Sequence, residues 1–247
     1  MVTGQAVIVG GTKGLGREVA ERFLARGHAV TVVSRQRPAA LKNDPRLRHV
    51  AVDLETLRDA SAVVIPAVSG AGPIQYLVFC QRYRGEGDPW QGEFQVSLTA
   101  TRILVEGFSD HFVFEGDRAI GIVSSVYAEF VGGSQPIGYH VVKAGLNQLT
   151  RYYACELGRR GIRVNGIMPL TYIKDESRNF YNSKPELAEL YNRLVPLGRM
   201  GESRDSADLL DFLCSERAAF INGQCIFVDG GVSAIWQEEL AKRMTGV

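Results

Sequence analysis

The chain has 247 residues, enough to bury one large core, and its composition calls for no second domain, so residues 1–247 are read as one unit. With 28 Lys and Arg against 27 Asp and Glu, the formal charge is +1, too weak a field to recruit nucleic acid or an anionic membrane. Cys80, Cys155, Cys214 and Cys225 lie far apart with no His at zinc-ligand spacing, which argues against a metal site and reads as buried small hydrophobes in a reducing compartment.

Met1 is followed by neither a basic leader nor a long hydrophobic stretch. No run approaches the roughly 18 apolar residues of a membrane helix, so a soluble, cytoplasmic protein is expected. The Val/Ile run Gln5–Val9 reads as a strand, and Gly10-Gly11-Thr12-Lys13-Gly14-Leu15-Gly16 then opens a helix predicted over Gly14–Arg26. Glycines at such a turn allow positive φ and let the backbone approach a pyrophosphate, whose charge meets free N–H groups at the helix start. Gly10, Thr12, Lys13, Gly14, Leu15 and Gly16 are therefore candidate dinucleotide-binding residues; the plainer reading is a tight turn only.

The second strand, Ala29–Ser34, ends where NAD sites usually place an acid about 20 residues beyond the glycines. Here the chain has Ser34-Arg35, with no acid from Val30 through Asn43. A guanidinium fork, the Ser34 hydroxyl and the Lys13 charge suit a 2′-phosphate and point to NADP(H), although Arg35 and Arg37 also fit solvated surface charges. The third strand, Leu47–Val52, leads into Asp53-Leu54. Asp53 is placed to accept from an adenine amino group, and equally to cap the following turn.

Further along come a fourth strand, Ile74–Phe79, a helix over Glu93–Phe114 and a fifth strand, Arg118–Ser124. Ser125 follows on the side where open α/β sheets hold ligands, placed to hold a substrate oxygen. Tyr139 and Lys143 stand four apart at the start of a helix predicted over Tyr139–Arg160, so both project from one face. An ammonium beside a phenol favours phenolate, so the pair is expected to lower the tyrosine pKa and make it a proton donor or acceptor.

A sixth strand, Arg163–Ile167, leads into Pro169–Gly201, rich in Pro and aromatics (Tyr172, Phe180, Tyr181, Tyr191). Residues 170–200 read as a packed substrate lid, or else an oligomer contact. A helix over Ser203–Ser215 and a seventh strand, Cys225–Val228, precede a tail, residues 235–247, that either frays or packs on a neighbour. Strands alternating with helices predict an α/β, Rossmann-like, doubly wound seven-stranded parallel sheet covered on both faces.

Taken together, Gly10–Gly16, Ser125, Tyr139 and Lys143 resemble the short-chain dehydrogenase/reductase family. Arg163-Val164-Asn165, Pro196-Leu197-Gly198-Arg199 and Val228-Asp229-Gly230-Gly231 echo it in the same order, nearly end to end. The resemblance implies that Tyr139 exchanges the proton, Lys143 holds the nicotinamide ribose and lowers the tyrosine pKa, Ser125 orients the carbonyl, and NADP(H) exchanges the hydride. It also implies a homodimer or homotetramer built on the helices over Glu93–Phe114 and Tyr139–Arg160.

Three departures stand out. The family's Asn-Asn-Ala-Gly is Phe79-Cys80-Gln81-Arg82, the helical asparagine of its proton relay falls at Ser97, and its Pro-Gly is Pro169-Leu170. The Ser125-to-Tyr139 gap is one residue longer than usual, which leaves Ser124 as a rival for the serine role. The expected function is NADP(H)-dependent reduction of a carbonyl, or oxidation of an alcohol, on a small polar or cyclic substrate. The alternative is a non-catalytic NADP(H)-binding sensor or scaffold.

Overall fold

Val7 and Val9 face one side of the first strand, Ala6 and Ile8 the other, and all four are fully buried. Only a sheet covered on both faces allows this. The computed structural model, which describes residues 4–39 and 43–246, has that architecture; residues 1–3, 40–42 and 247 of the expected single unit lie outside the described residues.

In chain order the strands are β1 (Gln5–Val9), β2 (Val30–Ser34), β3 (Leu47–Ala51), β4 (Ile74–Phe79), β5 (Arg118–Val123), β6 (Ile162–Pro169), β7 (Tyr172–Ile173), β8 (Gly201–Glu202) and β9 (Cys225–Val228). The helices are α1 (Gly14–Ala25), α2 (Leu57–Ser69), α3 (Pro89–Glu93), α4 (Ala100–Phe108), α5 (Ile137–Gly158), α6 (Arg178–Asn182), α7 (Pro185–Leu194), α8 (Ser203–Leu213) and α9 (Gln237–Thr245). The main sheet is parallel throughout, in the order β3-β2-β1-β4-β5-β6-β9. Strand order reverses between β1 and β4, and the crevice at their C-terminal ends is where such sheets bind ligands.

One core layer joins Val7, Val9, Leu77, Ile120 and Ile122 to α2, α4 and α5. The other joins Ala6, Ile8, Val32, Val78 and Ile167 to α1 and α8. A fully buried side chain of this size contributes about 1.5–3 kcal/mol, so both layers hold the strand ends that carry the site.

The structure adds α2, which is absent from the elements expected above; Leu57, Val64 and Val68 pack its buried face despite Pro66 in its last turn. The helix expected over Glu93–Phe114 starts earlier, at Pro89, where the Asp88 carboxylate accepts from the Trp90 N–H at 3.1 Å. It widens into a π-helix over Phe94–Thr99 and ends at Phe108. The cysteines also differ from expectation: Cys214 is buried, Cys80 and Cys225 are half-buried, and Cys155 is exposed on the outer face of α5. Among the described residues no helix is long and apolar enough to cross a membrane.

Candidate active site

Gly10 turns the chain out of β1 with φ +83°, and a Cβ there would lie 2.7 Å from the backbone of Gln81. At Gly16 a Cβ would meet the Gly10 carbonyl oxygen at 2.3 Å, so only glycine lets α1 start this close to the strand end. Leu15 is buried under the turn, and the Thr12 hydroxyl donates to the Gln36 carbonyl at 3.1 Å, tying the loop to the end of β2. Lys13, the residue before α1, gives it no side-chain cap, and the first turn holds no acid. The helix start thus presents N–H donors with the positive end of the helix dipole behind them and no carboxylate from α1 itself to meet them.

From this loop a cleft of about 1130 Å³ runs along the strand ends, from Arg35 at one end to Ser125 and Tyr139 at the other. Lys13, Arg35 and Leu54 line it, and Lys13 and Arg35 form no ion pair or hydrogen bond among the described residues. The Ser34 hydroxyl turns inward, donating to the Gln36 carbonyl at 2.8 Å and lying 3.2 Å from His49 Nε2. Asp53 lines the cleft while its carboxylate accepts from the Glu55 N–H at 3.0 Å, the capping arrangement.

At the other end, Ser125 closes β5, and its oxygen accepts from the Tyr127 N–H at 3.3 Å. Tyr139, on the first turn of α5, is buried and lines the cleft with Ser125 beside its phenol. One turn on, the Lys143 ammonium donates to the Val123 carbonyl at 3.0 Å and lies 5.4 Å from the Tyr139 ring centroid. Burial pulls the Lys143 ammonium down to about 8, against the opposing charge of Glu93. Of the two serines, Ser124 donates its hydroxyl to the Lys143 carbonyl at 2.9 Å, and Ser125 is the one beside the phenol.

The expected lowering of the tyrosine pKa by Lys143 is not the balance found. Burial dominates and raises the phenol, while the neighbouring Ser125 hydroxyl and the Arg82 guanidinium pull it down. The cation closest over the ring is Arg82, 4.6 Å from its centroid.

Ser97 also differs from expectation. It is buried on the π-helix, it does not line the cleft, and its hydroxyl donates to Glu93 at 3.0 Å. Glu93, four residues earlier and itself buried, is 3.9 Å from Arg82. Arg82 in turn donates to Gln135. Gln81 donates to Thr101 at 2.8 Å, and its side-chain oxygen is buried on the cleft wall without a partner. Nothing in the sequence alone singles out Gln81, Arg82 and Glu93 as functional. The mark they leave there is the replaced Asn-Asn-Ala-Gly segment and the four-residue spacing of Glu93 and Ser97.

The segment after β6 is drawn closed at its base by the two-residue parallel ladder of β7 and β8. It brings Tyr172, Lys174, Glu176 and Tyr181 to the cleft. Arg17 of α1 holds its edge by ion pairs to Asp175 at 2.6 Å and Glu176 at 3.3 Å, and Glu176 also accepts from the Gly14 N–H at 3.4 Å. The C-terminal tail forms α9 and docks on α7, where Arg193 donates to the Arg243 and Met244 carbonyls.

The cleft fits a dinucleotide on three grounds: the glycine turn that a Cβ would fill, the first turn of α1 with no acid of its own, and the orphaned Gln81 acceptor beside it. Comparison with known proteins agrees. The model of the Enoyl-(Acyl carrier protein) reductase family matches residues 9–233. The chain is 31% identical over 242 residues to 2,3-dihydroxy-2,3-dihydro-p-cumate dehydrogenase of Pseudomonas putida, covering 92% of this chain and 93% of that one. It is 30% identical over 240 residues to a tropinone reductase homolog of Arabidopsis thaliana, covering 92% and 90%. A short-chain type dehydrogenase/reductase from Mycobacterium ulcerans superposes with a TM-score of 0.82 at 27% identity, over 93% of this chain and 90% of its own. On the glycine turn, the Ser125–Tyr139–Lys143 grouping and these matches, the chain belongs to the short-chain dehydrogenase/reductase family of nicotinamide-dependent oxidoreductases.

Proposed function

We propose that this protein is an NADP(H)-dependent reductase of a carbonyl on a small polar or cyclic compound, also able to run the alcohol oxidation. The observation that carries this reading is the meeting of Ser125 and the buried Tyr139 at the inner end of the cleft, with the Lys143 ammonium 5.4 Å from the Tyr139 ring centroid on the same helix face. The bound nicotinamide supplies or accepts the hydride. Gly10, Gly14, Leu15 and Gly16 would hold the pyrophosphate with Thr12 and Lys13 beside it. Arg35, Lys13 and Ser34 would hold the 2′-phosphate, and Asp53 and Leu54 would flank the adenine.

The remaining steps belong to the chain. Ser125, oriented by the Tyr127 N–H, holds the substrate oxygen, and Tyr139 gives that oxygen its proton as negative charge develops. Lys143 and Tyr139 hold the ribose, and the Lys143 charge stabilises phenolate once the proton has left. Ser97 supports this arrangement through Glu93 rather than by touching substrate.

The phosphorylated cofactor is favoured because Arg35 and Lys13 line the cleft with no other partner among the described residues. A cyclic substrate is in keeping with the cyclic diol in the name of the Pseudomonas relative. A cytoplasmic homodimer or homotetramer belongs to the same reading, with Val141 and Tyr152 exposed on α5 as contact residues.

The test is NADPH oxidation against a panel of ketones and ketosugars, wild type beside Tyr139→Phe, with NADPH and NADH affinities measured in parallel. Turnover that depends on Tyr139 and NADPH binding weakened by Arg35→Asp support the proposal; the lost charge-assisted contact is about 1.5–3 kcal/mol. Equal affinity for NADH and NADPH defeats the cofactor assignment. Tight NADPH binding without Tyr139-dependent turnover favours the sensor reading.

A further inference from the structure

The segment after β4 is anchored by one buried ring. Tyr83 is 8% exposed, and Gly85 and Gly92 lie so close against it that a Cβ at either would fall within 2.5 Å of its ring. With Tyr83 turned into the core, its neighbours Arg82 and Arg84 project the other way and both line the cleft. Their surroundings differ. Arg82 is engaged by Gln135, Glu93 and the Tyr139 ring.

Arg84 is exposed to the cleft and forms neither a hydrogen bond nor an ion pair among the described residues. Lys174, arriving from the wall beyond β7, lines the same cleft, but its stem lies against Gly14 of the glycine turn, so its charge faces the expected pyrophosphate and leaves Arg84 as the uncommitted cation on the substrate side.

The nearby carboxylates are committed elsewhere. Glu93 is buried beneath Arg82 and bonded to Ser97. Glu176 is turned to Arg17 and the Gly14 N–H. Burial, together with the mutual repulsion of Arg82, Arg84 and Lys174, weakens proton binding at Arg84 and Lys174. A guanidinium exposed in the cleft beside a reacting phenol, with no counter-ion of its own, is arranged for an anion that arrives with the ligand.

We propose that Arg84 forms a carboxylate subsite beside Tyr139, so that the substrate is a ketone or secondary alcohol that carries a carboxylate. This rests on the reductase reading above and narrows its substrate class. Arg84 presents a planar fork to the two carboxylate oxygens, and Tyr127, Phe130 and Tyr172 line the cleft for the apolar body. Arg84 exchanges no proton; it sets which substrates are held.

The experiment compares benzoylformate and levulinate with their methyl esters in wild type, Arg84→Met and Arg84→Lys. A second readout needs no turnover: saturation-transfer NMR of cyclohexanecarboxylate and cyclohexanecarboxamide on the NADPH-loaded protein. Wild type is expected to favour an acid over its ester in kcat/KM by about tenfold or more. Arg84→Met should bring that ratio close to one and abolish the cyclohexanecarboxylate signal, and Arg84→Lys should keep part of the preference.

Equal use of acid and ester by wild type overturns the subsite and leaves the reductase intact. Equal loss of both in Arg84→Met also overturns it, because Arg84 is then structural. If no ketone is turned over in a Tyr139-dependent way, the reductase reading fails, and the NMR comparison alone decides the subsite. Equal binding of cyclohexanecarboxylate and cyclohexanecarboxamide then rejects it.

Discussion

The Arg82 guanidinium lies 4.6 Å from the centroid of the Tyr139 ring, and on its other side it is 3.9 Å from the buried carboxylate of Glu93. The two charges act on the phenol in opposite directions: Arg82 lowers its pKa and Glu93 raises it. Removing either therefore shifts proton exchange at Tyr139 in a known direction. Arg82→Met is expected to move the rising limb of the pH profile for alcohol oxidation to higher pH, and Glu93→Gln to lower pH, each by about 0.5–1 unit. Ultraviolet titration of Tyr139, by difference from Tyr139→Phe, gives the same order without turnover.

Lys143 supplies a second pH dependence. Its ammonium titrates at about 8 in the folded protein, against an ordinary value near 10.5. The charge is lost as pH rises through about 8, so kcat/KM for NADPH, which reports groups of the free enzyme, is expected to fall there. Lys143→Arg keeps its charge, and whatever activity remains should lack this falling limb. For stability the sign is the reverse. Between pH 8 and 10.5 the unfolded chain binds this proton and the folded chain does not, so this residue makes folding more favourable as pH rises across that window.

Glu176 puts a carboxylate 3.4 Å from the Gly14 N–H, at the helix start where a pyrophosphate is expected. Glu176→Gln removes a like charge from that position. A Kd for NADPH lower by about two- to fivefold is expected, corresponding to roughly 0.5–1 kcal/mol of helix-terminus electrostatics. Fluorescence titration of bound NADPH measures it. An unchanged or weaker affinity would mean that the lid contact helps to form the site.

Gly16→Ala tests the glycine turn. Its Cβ would sit 2.3 Å from the Gly10 carbonyl oxygen, a backbone atom held in the turn out of β1. The strand end and helix must part, at a cost of about 1–3 kcal/mol in stability. A lower Tm together with weakened NADPH binding is expected in thermal melts and titrations of the same preparation.

The alternation that buries Val7 and Val9 on one face and Ala6 and Ile8 on the other is written in residue order, so the seven strands and their parallel arrangement are legible in the chain. Ser125, Tyr139 and Lys143 are legible because strand end and helix turn bring them together through local geometry. Glu93 and Arg82 are not, because Glu93, at the end of α3, meets a loop residue eleven positions earlier, a tertiary fact with no local period. Ser97 departs from its expected place for the same reason: the wide turn carries its hydroxyl to Glu93 and away from the cleft. Helix α2 escapes a reading by pattern because Pro66 breaks it late, after the packing of Leu57 and Val64 has already secured the helix.

The central claim is that the Tyr139 hydroxyl supplies the proton, and single-turnover reduction tests it most directly. Wild type and Tyr139→Phe, each saturated with NADPH at an affinity fixed by fluorescence titration, would be mixed with the same ketone and followed through one hydride transfer. The account predicts equal NADPH affinity and a rate constant lower by at least about a hundredfold in Tyr139→Phe. A Tyr139→Phe protein that binds NADPH normally and turns over at the wild-type rate would contradict it.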